Sequence, residues 1–441
     1  MRHSFVFVLL LLGCAACSKK EPEPAKEEIV LNQPVLQGDS LVLTWSKPAN
    51  GDQTRYWISR GTTPNGVLYD ISQNGDGYAP LITATRYVDK TAAYCPYLTY
   101  TVRGVGPDGL VTVVSNSVTF ERPGLKTIHA QPFDVQFDAQ RRLLYFFGKT
   151  GVITQYSLTT SEVTKTIATA SIIGYSDRAT YNGVPELYVP RQDGSVFVYN
   201  AETLAKIDEI SVGASASSVV ANQGLLFVSV DDKTGHPLKV YSRATKQQVG
   251  EASGRKITRL RMLPNSNTKL VAITEDNGAG GRLTTDLQYF TFLANGLPTP
   301  NAAIPYDGSQ VLSTGIFEVC PANNTFITSR EGTIYKENLQ FEAKLLRGNI
   351  NYTSFAFDPT GRFIYGGAAT RSPSWTQSVE VYDAASHTLS RIIPTKAYPF
   401  RLFADGANGI IAVGSITVVA YKDNGMNRAE PVTDLVVEYL R

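Results

Sequence analysis

Histidine, methionine and tryptophan are scarce in this 441-residue sequence, with 4, 3 and 3 copies, and cysteine occurs 4 times. The histidines (His3, His129, His236, His387) are scattered, so a zinc site, which needs several convergent nitrogen or sulfur ligands, has little to be built from. Cys14 and Cys17 fall together near the N-terminus, while Cys95 and Cys320 lie far apart; a disulfide framework is not expected. An excess of one charge is missing too. Lys+Arg 41 against Asp+Glu 39 leaves +2, so no net field attracts nucleic acid, and none is expected as a partner. No unbroken apolar run approaches the about 20 residues of a bilayer-spanning helix. The mature chain contains no G-x-S-x-G elbow, H-E-x-x-H pair or P-loop, motifs that would mark hydrolytic, zinc or phosphate chemistry. No metal, cofactor or catalytic set is therefore expected.

What is abundant is glycine (36), proline (23), tyrosine (23) and phenylalanine (19). Turn formers beside residues that favour pleated, half-buried surfaces indicate an all-β chain. The length suits two domains, each able to bury its own core.

The first 17 residues have a short basic start, the apolar run Phe5–Leu12, and the stretch Gly13-Cys14-Ala15-Ala16-Cys17. This resembles a lipoprotein signal peptide ending in a lipobox. The resemblance implies a lipidated cysteine, with Leu11-Leu12-Gly13-Cys14 favouring Cys14 and Cys17 as the alternative. Residues 18–27 are charged and proline-bearing, an extended tether. Such a charged stretch behind the cysteine resembles the surface-export signal of Bacteroidetes lipoproteins. The expected location is the cell envelope: anchored to the outer membrane by lipid, on its surface or its periplasmic side.

Residues 28–122 alternate apolar and polar positions in short strands: Leu41, Leu43, Trp45; then Tyr56, Ile58, Arg60; then Tyr87 and Asp89; then Leu98, Tyr100, Val102. Short alternating strands between turn clusters indicate an antiparallel sandwich. The Trp45 strand, Tyr56-x-Ile58-x-Arg60, Tyr87-x-Asp89 and Val102–Val105 resemble a fibronectin type III domain, which implies a spacer or binding module with Trp45 in the core. One departure is that Leu98 stands where that family carries its corner tyrosine.

Residues 125–441 repeat. An apolar strand ending in an aromatic and a turn recurs as VITQYSLTT, SVFVYNAET, PLKVYSRAT, SVEVYDAAS and TVVAYKDNG, with weaker copies at 287–295 and 333–341. The aromatics Tyr156, Tyr199, Tyr241, Phe290, Tyr335, Tyr382 and Tyr421 are 43, 42, 49, 45, 47 and 39 residues apart. Four antiparallel strands at a period in the forties make a propeller blade. Seven blades are expected; an insertion at 275–286 and a long entry at 296–312 leave six or eight open. Either Leu125–His129 or Asp434–Leu440 could complete the last blade, so closure should involve residues near 125–130. The repeats resemble those of YVTN-type and WD-like bacterial propellers.

Propellers present ligand-contacting groups where inner strands begin and where second-to-third-strand loops gather. The repeats place Tyr175, Arg178, Arg259, Tyr352, Trp375, Tyr398 and Arg401 there, with His236 nearby. Aromatics beside arginines suit sugar faces, carboxylates or a protein hot spot. The expected function is a non-catalytic binding or scaffold module for a glycan or envelope protein. The resemblances also admit an assembly role, like that of the propeller lipoprotein of outer-membrane β-barrel insertion. The alternative is a propeller enzyme (lactonase, lyase or hydrolase), which would need three or more carboxylates, or two histidines, within reach of each other in the channel.

Overall fold

The structure, a computed structural model, describes residues 28–441 apart from 39, 49–54, 62–67, 73–81, 91, 93–96, 266–267, 278–282, 294, 297, 305–311, 346–349, 371–376, 407–408 and 417–433. All regular structure among the described residues is β-strand. In the N-terminal unit, β1 (Val35–Gln37), β2 (Ser40–Thr44) and β5 (Arg86–Asp89) form one sheet in the order β1-β2-β5. The other sheet runs β4 (Tyr69–Asp70), β3 (Arg55–Gly61), β6 (Tyr97–Val105), β7 (Val111–Val114), with β8 (Val118–Glu121) also paired to β6. The two antiparallel sheets form a β-sandwich.

The period-two pattern accounts for the core. Leu41, Leu43, Ile58, Leu98, Tyr100 and Val102 are fully buried, and Trp45 packs edge-on against Tyr56 with ring centroids 5.3 Å apart. At the far end of the same face of β3, Arg60 meets Asp89 of the opposite sheet at 2.7 Å, and the Tyr100 hydroxyl donates to the same carboxylate oxygen at 2.8 Å. Leu98 supplies no hydroxyl, and the cross-sheet hydrogen bond comes instead from Tyr100, two residues on.

The second unit is a ring of four-stranded antiparallel sheets. Blades 1 to 6 occupy 132–168, 177–211, 216–252, 259–304, 317–344 and 350–394, each with its strands in chain order. The seventh combines Tyr398–Asp405, Gly409–Ser415 and Asp434–Leu440 with β9 (Ile128–His129). Seven blades are present, and a strand from the start of the unit closes the last one. Consecutive blades touch throughout the ring. The closing seam is held by Arg142 paired with Asp405 across blades 1 and 7, and by the Tyr439 hydroxyl donating to the Leu158 carbonyl at 3.2 Å.

Six of the repeated aromatics stand at or near the end of the third strand of blades 1 to 6 and are at most 5% exposed. Each lies at a register shift against the fourth strand, a bulge that sharpens the twist of the blade's outer edge. Each also pairs with an apolar residue of the second strand, as in Leu187↔Tyr199 and Ile364↔Tyr382. In blades 1, 2, 3 and 6 the residue after the aromatic builds the next turn. Asn200 and Asp383 accept backbone N–H bonds from residues two and three positions on, which is what short Asx side chains do in turns.

Blade 7 departs from the sequence expectation. Its third strand is Asp434–Leu440, not the TVVAYKDNG segment, and Tyr421 lies outside the described residues. Closure explains this: the third strand must reach β9, which it does through Asp434↔His129 and Leu435↔Ile128, while Leu440 takes the aromatic's place opposite Ile410.

The two units share an apolar cluster in which Ala397, Ile416 and Val436 of blade 7 join the sandwich core. Lys396 adds a hydrogen bond to the Lys90 carbonyl at 3.3 Å.

Candidate functional site

Side chains converge where the inner strands begin. Four of these strands carry a bulge near their start, at Phe133, Ser217, Thr353 and Phe400. A bulge re-aims its neighbours, and on blades 1 and 7 the residue that follows is charged: Asp134 and Arg401. Asp134 Oδ1 lies 3.5 Å from Arg259 Nη2 and 3.6 Å from Arg401 Nε. Arg259 Nη1 donates to the Thr314 carbonyl at 2.5 Å, and its guanidinium sits 4.3 Å from the centre of the Tyr175 ring. Arg401 Nη2 donates to the Phe133 carbonyl at 2.8 Å, and Tyr175 packs edge-on against Phe133. Asp134, Arg259 and Arg401 are 2%, 2% and 7% exposed. Residues of blades 1, 2, 4 and 7 and of the entry to blade 5 are thus tied together across the axis, with one carboxylate shared by two arginines. Removing one partner from such a buried group strands the other charge, a loss of about 3–5 kcal/mol.

Beside this cluster a cavity of about 230 Å³ extends along the inner strands of blades 2 to 5, from Tyr175 and Arg259 toward Pro264 in a first-to-second-strand turn. Ser176, Asp177, Arg261 and Glu318 give it polar groups, and Val219, Leu260 and Met262 line it with apolar surface. Arg261 donates through Nε to the Phe317 carbonyl at 3.3 Å and through Nη2 to Glu318 at 3.0 Å. Burial works against the Arg261 charge, but Glu318, Asp134 and Asp177 together raise its pKa. Burial also pushes the Asp177 carboxyl up, against backbone N–H bonds from Ala221 and Arg178.

Of the residues expected from the sequence, Tyr175, Arg259 and Arg401 come together at the axis. Arg178 does not join them: it pairs with Asp138 at 2.9 Å and donates to the Phe137 carbonyl at 2.6 Å, a seam between blades 1 and 2. Tyr352 is fully buried, its hydroxyl engaged with Glu380 at 2.8 Å and Tyr382 at 2.5 Å, so it packs blade 6 and offers no ligand face. Tyr398 is 8% exposed and lies close enough to Arg60 of the sandwich to act on its charge. Trp375, Cys14 and Cys17 lie outside the described residues.

Sequence reasoning missed Asp134, Ser176, Asp177, Arg261 and Glu318. The alternation Arg259-Leu260-Arg261-Met262, two cations on one face of an inner strand, was the available signal. Asp134, Asp177 and Glu318 all act on Arg261, so the channel does hold three carboxylates. Each is committed to an arginine or to backbone N–H groups, and among the described residues no three metal-type side chains gather at one point. The acidic pair Asp231-Asp232 is likewise engaged. Asp231 pairs with Lys256 at 3.0 Å, and Asp232 accepts from Thr234 and Lys239, bonds that lower its pKa to about 2.

No family model matches the chain, and no curated protein matches it. Among solved structures it is similar to Kuenenia stuttgartiensis hydrazine synthase, at 18% identity and a TM-score of 0.48, over 67% of this chain and 96% of that one. It is also similar to Chaetomium thermophilum Raptor, at 11% identity and a TM-score of 0.52, over 71% of this chain and 28% of that one. The chain therefore spans little more than a quarter of the Raptor chain. At these identities the likeness is one of fold, that of a β-propeller-like protein.

Proposed function

We propose that this chain is a lipid-anchored cell-envelope protein whose fibronectin type III-like unit is a spacer and whose YVTN- or WD-like propeller is a non-catalytic binding or scaffold module for a glycan or a protein partner. The observation that carries this reading is the axial cluster. Asp134, Tyr175, Arg259, Thr314 and Arg401 tie four blades and the entry to a fifth across the ring, so the surrounding loops stand in a fixed relation. Preorganised surfaces lose less entropy on binding than mobile ones. The charged tether at 18–27 and the sandwich would hold that face away from the membrane.

Two measurements on the full chain test the reading. Metabolic labelling with a tagged fatty acid should mark the wild type and fail on Cys14→Ser; loss on Cys17→Ser instead reassigns the lipid, and absence of any label removes the anchor. Detergent-extracted protein should then retain a glycan or an envelope protein in array and crosslinking screens, with retention reduced by Trp375→Ala. Protease treatment of intact cells separates the surface from the periplasmic side.

A second reading, a propeller lactonase, lyase or hydrolase, draws on Asp134, Asp177 and Glu318 around Arg261. Turnover of a lactone or a uronate polymer that falls on Asp177→Asn, with binding kept, would favour it over the scaffold.

A further inference from the structure

The cavity beside the axial cluster contains donors that the protein itself leaves unused. Ser176 is 6% exposed, and its enclosed hydroxyl has no hydrogen-bond partner among the described residues. A buried, unpaired polar atom costs about 1–3 kcal/mol, so it marks a place where a further group belongs. Arg261 engages Nε and Nη2 with Phe317 and Glu318, which leaves Nη1 without a protein partner among the described residues. Ser176, Asp177 and Arg261 line the same cavity, and Asp177 accepts the Ala221 N–H of the intervening blade at 2.8 Å.

Charge and shape narrow what would fit. The channel carries Arg259, Arg261 and Arg401 against Asp134, Asp177 and Glu318. Asp177 is engaged by the Ala221 N–H and Glu318 by Arg261 Nη2, so Arg261 Nη1 is the cationic donor left to face the cavity. A guanidinium edge pairs best with a planar carboxylate. A serine hydroxyl and a carboxyl oxygen both form hydrogen bonds with alcohols. Val219, Leu260 and Met262 offer an apolar wall to C–H groups. The volume of about 230 Å³ holds roughly eight waters, or about a dozen bonded heavy atoms.

We infer that this cavity is a binding site for a small hydroxylated carboxylate, of the size of a single sugar acid, with Arg261 holding the carboxylate and Ser176 and Asp177 the hydroxyls. The site lies within the channel and stands whether or not the strand-start loops engage a macromolecule.

Titration calorimetry on the full chain in detergent tests it, with galacturonate and gluconate as probes and galactose and inorganic phosphate as controls. Both acids should bind and both controls should fail. Arg261→Ala should weaken binding about tenfold or more, as loss of a charge-assisted bond does. Glu318→Gln, which releases Arg261 from its partner, should tighten binding about threefold; a gain of this kind cannot arise from misfolding. Ser176→Ala removes a buried hydroxyl that has no partner among the described residues, so it should leave the melting temperature unchanged or raised, and weaken binding about threefold. The inference is overturned if neither acid binds at about 10 mM, well above the micromolar-to-millimolar range of small-ligand sites. Galactose or phosphate binding as well as the acids, or a well-folded Arg261→Ala that binds like the wild type, would overturn it equally.

Discussion

The sandwich and the propeller join their layers in opposite ways. In the sandwich, the ion pair that joins the two sheets among the described residues is centred on Asp89, with Arg60 and Tyr100 reaching it from the other sheet. In the propeller, polar links are spread over the ring. Arg243 grips Glu186 through two bonds of 2.8 Å and Asp208 through one of 2.7 Å between blades 2 and 3. Lys269 meets Glu337 between blades 4 and 5, Arg142 meets Asp405 at the closing seam, and Asp134 joins Arg259 and Arg401 at the axis. A buried hub concentrates the loss when its carboxylate is removed. Repeated nearest-neighbour seams make a unit that loosens locally, as repeat proteins do.

The sharpest way to break the comparison is Asp89→Ala. It strands the Arg60 guanidinium and the Tyr100 hydroxyl in the sandwich core, and should cost about 3–5 kcal/mol. Trp45 and Trp57 both lie in this unit, so tryptophan fluorescence in a Trp375→Phe background should report sandwich unfolding at lower urea, with the propeller's far-ultraviolet transition unmoved. If the two transitions fall together, the shared cluster of Ala397, Ile416 and Val436 couples the units, and the contrast between them is lost.

Glu186→Ala is the matching test in the ring. Arg243 keeps Asp208, so the charge is not wholly stranded and the loss should be about 2–3 kcal/mol, below that of a fully broken buried pair. Amide exchange should rise in blades 2 and 3 and stay unchanged in blades 5 and 6. Gly174→Ala comes next. Its added Cβ would stand 2.1 Å from the Ser217 carbonyl oxygen, where the strands of blades 2 and 3 approach through the Tyr175↔Ser218 bridge. Backbone cannot yield as a side-chain tip can, and overpacking of this kind costs about 1–3 kcal/mol. A variant as stable as the parent would show that this seam is not close-packed.

How much of this was legible in the sequence follows from the same contrast. The blades could be counted because the third strands of blades 1 to 6 carry an aromatic opposite an apolar neighbour, with an Asn, Asp or Ser turn behind it in blades 1, 2, 3 and 6. Tyr421 misled because TVVAYKDNG meets the local requirements, whereas the place of the closing strand is set by β9, some three hundred positions earlier in the chain. The axial cluster was half visible. Arg259, Arg401 and Tyr175 stand at strand starts, but their common partner Asp134 owes its direction to the bulge at Phe133, and a bulge has no mark in a strand that otherwise alternates. Tyr352 and Arg178 were misjudged for a related reason. Their spacing placed them at the rim, and only packing against Glu380 and Asp138 turned them inward.

The smallest effect concerns acid. Burial works against the Asp208 charge, but hydrogen bonds from Lys246, the Glu209 backbone N–H and Arg243 hold its carboxyl below the ordinary range. Hydrogen bonds from Lys269 and Asn324 do the same for Glu337. A carboxyl with a depressed folded pKa contributes stability that is complete above its unfolded value, about 4, and disappears as pH falls through the folded one. Both groups are partly exposed, so solvent screens the gain. The propeller transition should therefore fall by roughly 1–3 °C between pH 5 and pH 3 on their account. Asp208→Asn should flatten its share of that slope while lowering the melting temperature at pH 7, and added salt should reduce the difference between the two proteins. A slope unchanged in both Asp208→Asn and Glu337→Gln would mean that the seams are held by their apolar contacts, and that the ring's charges contribute to register alone.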